Sequence, residues 1–179
     1  MFNLRDNMRK RFYLFCLLIL AGHTSGIYAQ ADPACKLITE TDPYTKEVKM
    51  STGFIGLDGA SVTVDADSKE IIFLISMEGA EKCFDNNSTI ELYFEGLKSK
   101  TMSRNAGTMN CEGLLQLVFK NTNNTPTTIL QRLCTLKATH FIITGNSKKP
   151  VTVNLGPKER ESLQFMANCL VTQGRTLIR

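Results

Sequence analysis

The sequence predicts an α+β domain. Its body is mostly antiparallel β-sheet of about seven or eight short strands, with one short helix and a C-terminal helix packed on the sheet. Three observations carry this expectation. Apolar residues recur at every second position in several short segments, as half-buried strands require. Clusters of Asp, Asn, Gly and Ser punctuate those segments. Two stretches opened by a proline instead show helical spacing. Strands and helices do not alternate regularly, which favours an antiparallel sheet over repeated βαβ units.

Residues 1–29 read as a secretory signal peptide and residues 30–179 as a single β-rich globular domain. Arg5, Arg9, Lys10 and Arg11 form a basic head, and Phe12 to Ala21 an apolar run. Small and polar residues follow, with Ala29 and Ala31 as cleavage positions. The run is shorter than the roughly 20 apolar residues a spanning helix needs. After cleavage the chain is therefore not expected to be an integral membrane protein. Lipidation needs a small residue before the modified cysteine, but Phe15 precedes Cys16.

The formal net charge of +4 comes mainly from this head. Without residues 1–29 the chain keeps 17 basic and 16 acidic residues, scattered rather than clustered. A nucleic-acid partner would call for a basic footprint, so none is expected. The remaining length suffices for one domain with a sizeable core.

The elements follow in order. Cys35 to Glu40 is a first strand candidate. Lys46 to Leu57 is a second, with Val48, Met50 and Phe54 at even spacing. Val62 and Val64 mark a short third element. Ile71 to Met77 is nearly all apolar and predicts a strand buried on both faces. In "TIELYFEG", Ile90, Leu92 and Phe94 alternate with Glu91, Tyr93 and Glu95. Leu114–Lys120, His140–Thr144 and Val151–Leu155 complete the set. Thr144 to Pro150, with the turn signal Gly145-Asn146-Ser147, should close a hairpin between the last two. The expected sheet core is Ile72, Leu74, Ile90, Leu92, Phe94, Leu117, Phe119, Phe141 and Ile143.

For the first helix, Thr125 suits the N-cap and Pro126 the first helical position. Ile129, Leu130 and Leu133 share a face. The second opens at Pro157, with Glu159 and Glu161 in its positive first turn. Leu163, Met166 and Leu170 form its buried stripe. In "DPYT", Pro43 suits position i+1 of a β-turn, and Asp42 can accept bonds from the backbone beyond it. A corner explains this motif better than a ligand site, although Tyr44 is a candidate exposed contact.

Small exported proteins of Bacteroidetes, of unknown function, often carry a cysteine-containing strand and a D-P-[FY]-T corner after the signal. A strand-rich body, a short helix and a last helix ending near a cysteine follow. This chain resembles them through Cys35, Asp42-Pro43-Tyr44-Thr45, "KCFDNNSTIELYFEG", "NCEGLLQLVF", "LQRLCTLKATHFIITG" and Cys169. The usual Gly after the corner is absent, since Lys46 follows Thr45. The resemblance implies a periplasmic or secreted location and supplies no catalytic residue. In a bacterial setting the N-x-[ST] matches at Asn86, Asn87 and Asn123 are chance.

No nucleophile motif is present. After the signal the chain has one histidine, His140, and a Cys134–His140 pair would need loop geometry to unite it. No CxxC and no second histidine remain for zinc. Asp58, Asp65 and Asp67 lack calcium-loop spacing, and turn and capping duty explains them better. No cofactor and no metal are expected. Two functional classes follow. One is a non-catalytic binding or structural module of the envelope, with an envelope protein or polysaccharide as partner. It would use Tyr44, Phe84 and Tyr93 and loops such as Phe84–Asn87 and Thr101–Asn110. The alternative is a small secreted hydrolase with carboxylate or Cys134/His140 chemistry.

Five cysteines remain after processing. An oxidising compartment favours disulfides, and five cannot all pair within one chain. Cys83 and Cys111 lie in turn-rich segments flanking Thr89–Glu95, so the chain can fold back to join them. A Cys35–Cys169 bridge would tie down both ends of the domain. Cys134 follows Leu133 in a helix expected to be buried and is the free-thiol candidate.

Overall fold

The computed structural model describes residues 35–79 and 82–178, so residues 1–29, expected to be a signal peptide, lie outside the described residues. In chain order the strands are β1 (Ile38–Thr41), β2 (Val48–Leu57), β3 (Ala60–Ala66), β4 (Glu70–Met77), β5 (Thr89–Phe94), β6 (Thr101–Arg104), β7 (Leu114–Lys120), β8 (Ala138–Thr144) and β9 (Pro150–Asn154). Helix α1 (Thr128–Thr135) lies between β7 and β8, and α2 (Pro157–Gly174) follows β9. Among the described residues these strands form two antiparallel sheets, ordered β1-β2-β3-β4-β7 and β6-β5-β8-β9. The α+β class holds.

One buried cluster draws on both sheets and both helices. From the five-stranded sheet come Val62, Val64, Ile71, Phe73, Ile75, Leu115, Leu117 and Phe119. The four-stranded sheet gives Ile90, Leu92, Phe94, Phe141, Ile143 and Val153. Helix α2 packs on β2, β3 and β8 and against α1, and buries Leu163, Ala167 and Leu170. Met166, expected in that stripe, is only partly buried.

The "DPYT" segment is the corner it reads as. The Asp42 carboxylate accepts from the Tyr44 and Thr45 amides, each at 2.8 Å, and those bonds hold its carboxyl below the usual carboxylate range. The Lys46 amide donates to the Asp42 carbonyl at 2.9 Å, closing the β1–β2 hairpin. Lys46 stands there at φ 59°, in the left-handed region that favours glycine.

Six expectations are corrected. Strand β1 starts at Ile38 rather than Cys35, because Ile38 pairs with Ser51, the last residue of β2 before its register shifts. That shift is a bulge at Thr52–Gly53, with Gly53 at φ 66°. The extra residue breaks the period of two. Phe54 therefore faces solvent at 82 % exposure, and Ile55 and Leu57 turn inward.

In β4 the inward residues are Ile71, Phe73, Ile75 and Met77, whereas Ile72 and Leu74 stand half-buried on the opposite face. A uniformly apolar strand carries no alternation to say which face is inner. The strand is also not buried on both faces.

Helix α1 begins two residues later than expected. Thr127 is the N-cap, its hydroxyl accepting from the Leu130 amide, and Pro126 precedes the cap. Finally, Thr101–Asn110 is not simply a loop, since Thr101–Arg104 is strand β6, paired with β5. Four residues without apolar alternation gave no strand signal.

Candidate functional site

The structure distributes the candidate residues as follows. Tyr44 projects from the corner at 92 % exposure. Phe84 is buried at 4 %, contrary to its expected exposure. Its backbone exchanges two hydrogen bonds with Asn110, at 2.8 and 2.9 Å, and its ring packs over Gly145. The flanking turn "DNN" gave a polar context that hid an inward-pointing ring. Tyr93 is half-buried on the outer face of the four-stranded sheet. It stacks on His140 with centroids 4.2 Å apart, and its hydroxyl donates to Glu91 at 3.0 Å. Lys100 also binds Glu91, at 2.6 Å, and these two bonds hold the Glu91 carboxyl low.

Cys35 and Cys169 form a disulfide pair with Cα atoms 5.8 Å apart, and Cys83 and Cys111 form another. The second joins segments already bridged at Lys82–Glu112 and Phe84–Asn110. Cys134 is free and buried in α1, and burial pushes its thiol up to about 11. It belongs to the core, whereas His140 shares the outer sheet face with Tyr93, opposite the inward Phe141. The structure does not bring the Cys134–His140 pair together. Reactive cysteines have lowered thiol pKa values and access to solvent; Cys134 has neither.

Among the described residues no group of three or more His, Cys, Asp or Glu side chains could hold a metal ion. Asp67 does serve a turn, accepting from the Lys69 and Glu70 amides at 2.7 and 2.8 Å. Asp65 does not. It stands on β3 between cross-strand partners Ser51 and Ile72, half-buried, on the face turned away from the core.

That outer face of the five-stranded sheet holds a groove of about 500 Å³, a size typical of ligand sites. Ile38, Phe54, Ile72 and Leu74 supply its apolar surface, with Thr63 between Phe54 and Leu74. Glu40, Lys49, Asp65 and Glu70 supply its charges. Each position follows from the corrections above. The β2 bulge turns Phe54 outward, and the parity of β4 sends Ile72 and Leu74 to the same side. A second hollow, lined by Thr52, Gly56, Lys158, Ser162 and Met166, lies on the other flank of Phe54, against the start of α2. Sequence reasoning missed this site. The available signal was the missing polar alternation in Ile71–Met77 together with Gly53 inside β2.

Among the described residues no helix is long and apolar enough to cross a membrane. With the two cysteine pairs, this fits an extracytoplasmic protein. No protein-family model matches the chain, and neither a curated protein nor a solved structure matches it.

Proposed function

We propose that this is an exported bacterial protein, periplasmic or secreted, that acts as a non-catalytic binding module through the outer face of its five-stranded sheet. One observation carries the assignment: a phenylalanine 82 % exposed at the lip of a groove floored by Ile72 and Leu74. Single exposed apolar residues are ordinary, but a contiguous apolar hollow marks a binding surface. An apolar floor favours a protein segment over a polysaccharide, since sugars present mostly hydroxyls. The basic head and short apolar run of residues 1–29 support export, as does the likeness to exported Bacteroidetes proteins. The reaction centre that a hydrolase requires has no counterpart in the separated Cys134 and His140.

A titration with the neutral apolar dye N-phenyl-1-naphthylamine tests the site. Saturable fluorescence enhancement, lost in Phe54→Ala and Leu74→Ser variants that keep the native circular dichroism spectrum, is the expected result. Absence of saturation would refute the groove as a binding site. Intact-mass measurement of protein from cell fractions tests export. A chain starting near residue 30 or 32 outside the cytoplasm is expected, and a full-length cytoplasmic species would contradict it.

A further inference from the structure

Resting on the groove as the binding site, we infer that its occupant is a basic peptide segment in which apolar side chains alternate with Lys or Arg. Charge supplies the sign. Glu40, Asp65 and Glu70 project from the outer face; Lys49 stands across from Glu40 and Lys120 across from Glu70, which leaves Asp65 as the acid with no base opposite it. Among the described residues none of these five side chains forms a salt bridge or accepts or donates a side-chain hydrogen bond. Elsewhere on the surface carboxylates do find partners. Glu91 has Lys100, Glu95 has Arg160, and Glu161 has Lys137.

Asp65 is the most telling of the three. It is half-buried, with Ile72 opposite it on one neighbouring strand and Ser51 on the other, and the Ser51 row continues to Ile38 on β1. A carboxylate set into apolar surface is partly desolvated, and a cation placed against it recovers that lost solvation. The same charge disfavours other occupants. Two copies of this face would oppose acid to acid, and a fatty acid or an anionic membrane would meet like charge. Extended geometry follows from side-chain spacing. Thr63 and Asp65 lie two residues apart on β3 and stand across from Leu74 and Ile72 on β4, so apolar and charged features recur at the repeat of an extended chain rather than of a helix.

The test uses the oxidised protein and three probes: a capped hexapeptide alternating leucine and lysine, its leucine–glutamate counterpart, and N-phenyl-1-naphthylamine. Calorimetry or fluorescence anisotropy reads the peptides. The lysine peptide is expected to bind and the glutamate peptide to bind at least tenfold more weakly. Asp65→Asn should weaken the lysine peptide about five- to tenfold, with salt eroding the difference. Phe54→Ala should weaken both the lysine peptide and the dye. If the dye binds but the two peptides are indistinguishable, or Asp65→Asn has no effect, the basic-peptide inference is overturned and the binding site stands. If neither dye nor peptide binds, both fall. A concentration-dependent dimer that Phe54→Ala abolishes would overturn the inference in favour of a second copy.

Discussion

Replacing Phe73 by alanine should cost about 4–5 kcal/mol, whereas replacing its neighbour Leu74 should cost about 1 kcal/mol. Phe73 is 2 % exposed, pairs with Val64 on one side and Leu117 on the other, and meets the Phe119 ring edge-on at 5.8 Å. Phe→Ala changes in cores cost about 3–5 kcal/mol, depending on how far the site collapses. Here hydrogen-bonded strands on both sides hold the backbone apart, so little collapse follows. The edge-to-face pair contributes about 0.5–1.5 kcal/mol beyond area burial, which places the loss at the upper end. Leu74 faces the groove and is only half-buried. Full burial of such a side chain is worth about 1.5–3 kcal/mol, and its removal leaves an open hollow rather than a void. Urea melts at pH 7 with the disulfides intact measure both. With a slope of about 2 kcal/mol/M, the midpoint should fall by about 2 M for Phe73→Ala and about 0.5 M for Leu74→Ala. A larger loss for Leu74→Ala would mean that the inner and outer faces of β4 have been exchanged, and with them the floor of the groove.

Lys46→Gly should stabilise by about 0.5–1 kcal/mol, since relief of the left-handed strain exceeds the added backbone entropy; a loss of stability in the same melts would contradict the hairpin geometry. Folding holds the Cys134 thiol neutral until about pH 11, above its ordinary value of 9.0. Unfolded chains therefore release that proton first, and stability should fall as pH rises from about 9 to about 11, by about 1–2 kcal/mol. The difference between the wild type and Cys134→Ala across that window isolates the effect, and an unchanged difference would refute it. Non-reducing peptide mapping should recover Cys35–Cys169 and Cys83–Cys111 as linked peptides and Cys134 as a thiol. The Cys83→Ala/Cys111→Ala double variant should lose about 3–4 kcal/mol, the loop-closure value for a separation of 28 residues. Finding Cys134 in a bridge would rule out this pairing.

How much of this was legible in the sequence depended on whether each element carried its own local signal. β5 announced its faces because glutamates alternate with Ile90, Leu92 and Phe94, so burial of those three followed. The corner was legible because Asp42 and Pro43 act on their own backbone. β4 was legible as a strand but not as an orientation, since parity needs a polar residue to mark the outside. The β2 bulge was marked in the sequence only by Gly53, which hints at an irregularity without saying that a residue is added, and one extra residue reverses everything after it. The groove combines these two illegible features, so the candidate site escaped while the core around it was largely found. Phe84 failed for the opposite reason: a polar turn next to it described the backbone and not the ring.

The Cys35–Cys169 link also determines how the molecule bears a load. Its separation of 134 residues encloses every strand and both helices up to the last turn of α2. A pull applied between residue 35 and residue 178 can then stretch only the segment after Cys169. That is roughly ten residues, or about 35 Å at full extension. Reduction removes the shunt and exposes roughly 500 Å of contour to the same pull. While the bridge is closed, tension bypasses the edge strand β1 and the groove beside it, which keep their shape under a force that would otherwise peel β1 away first.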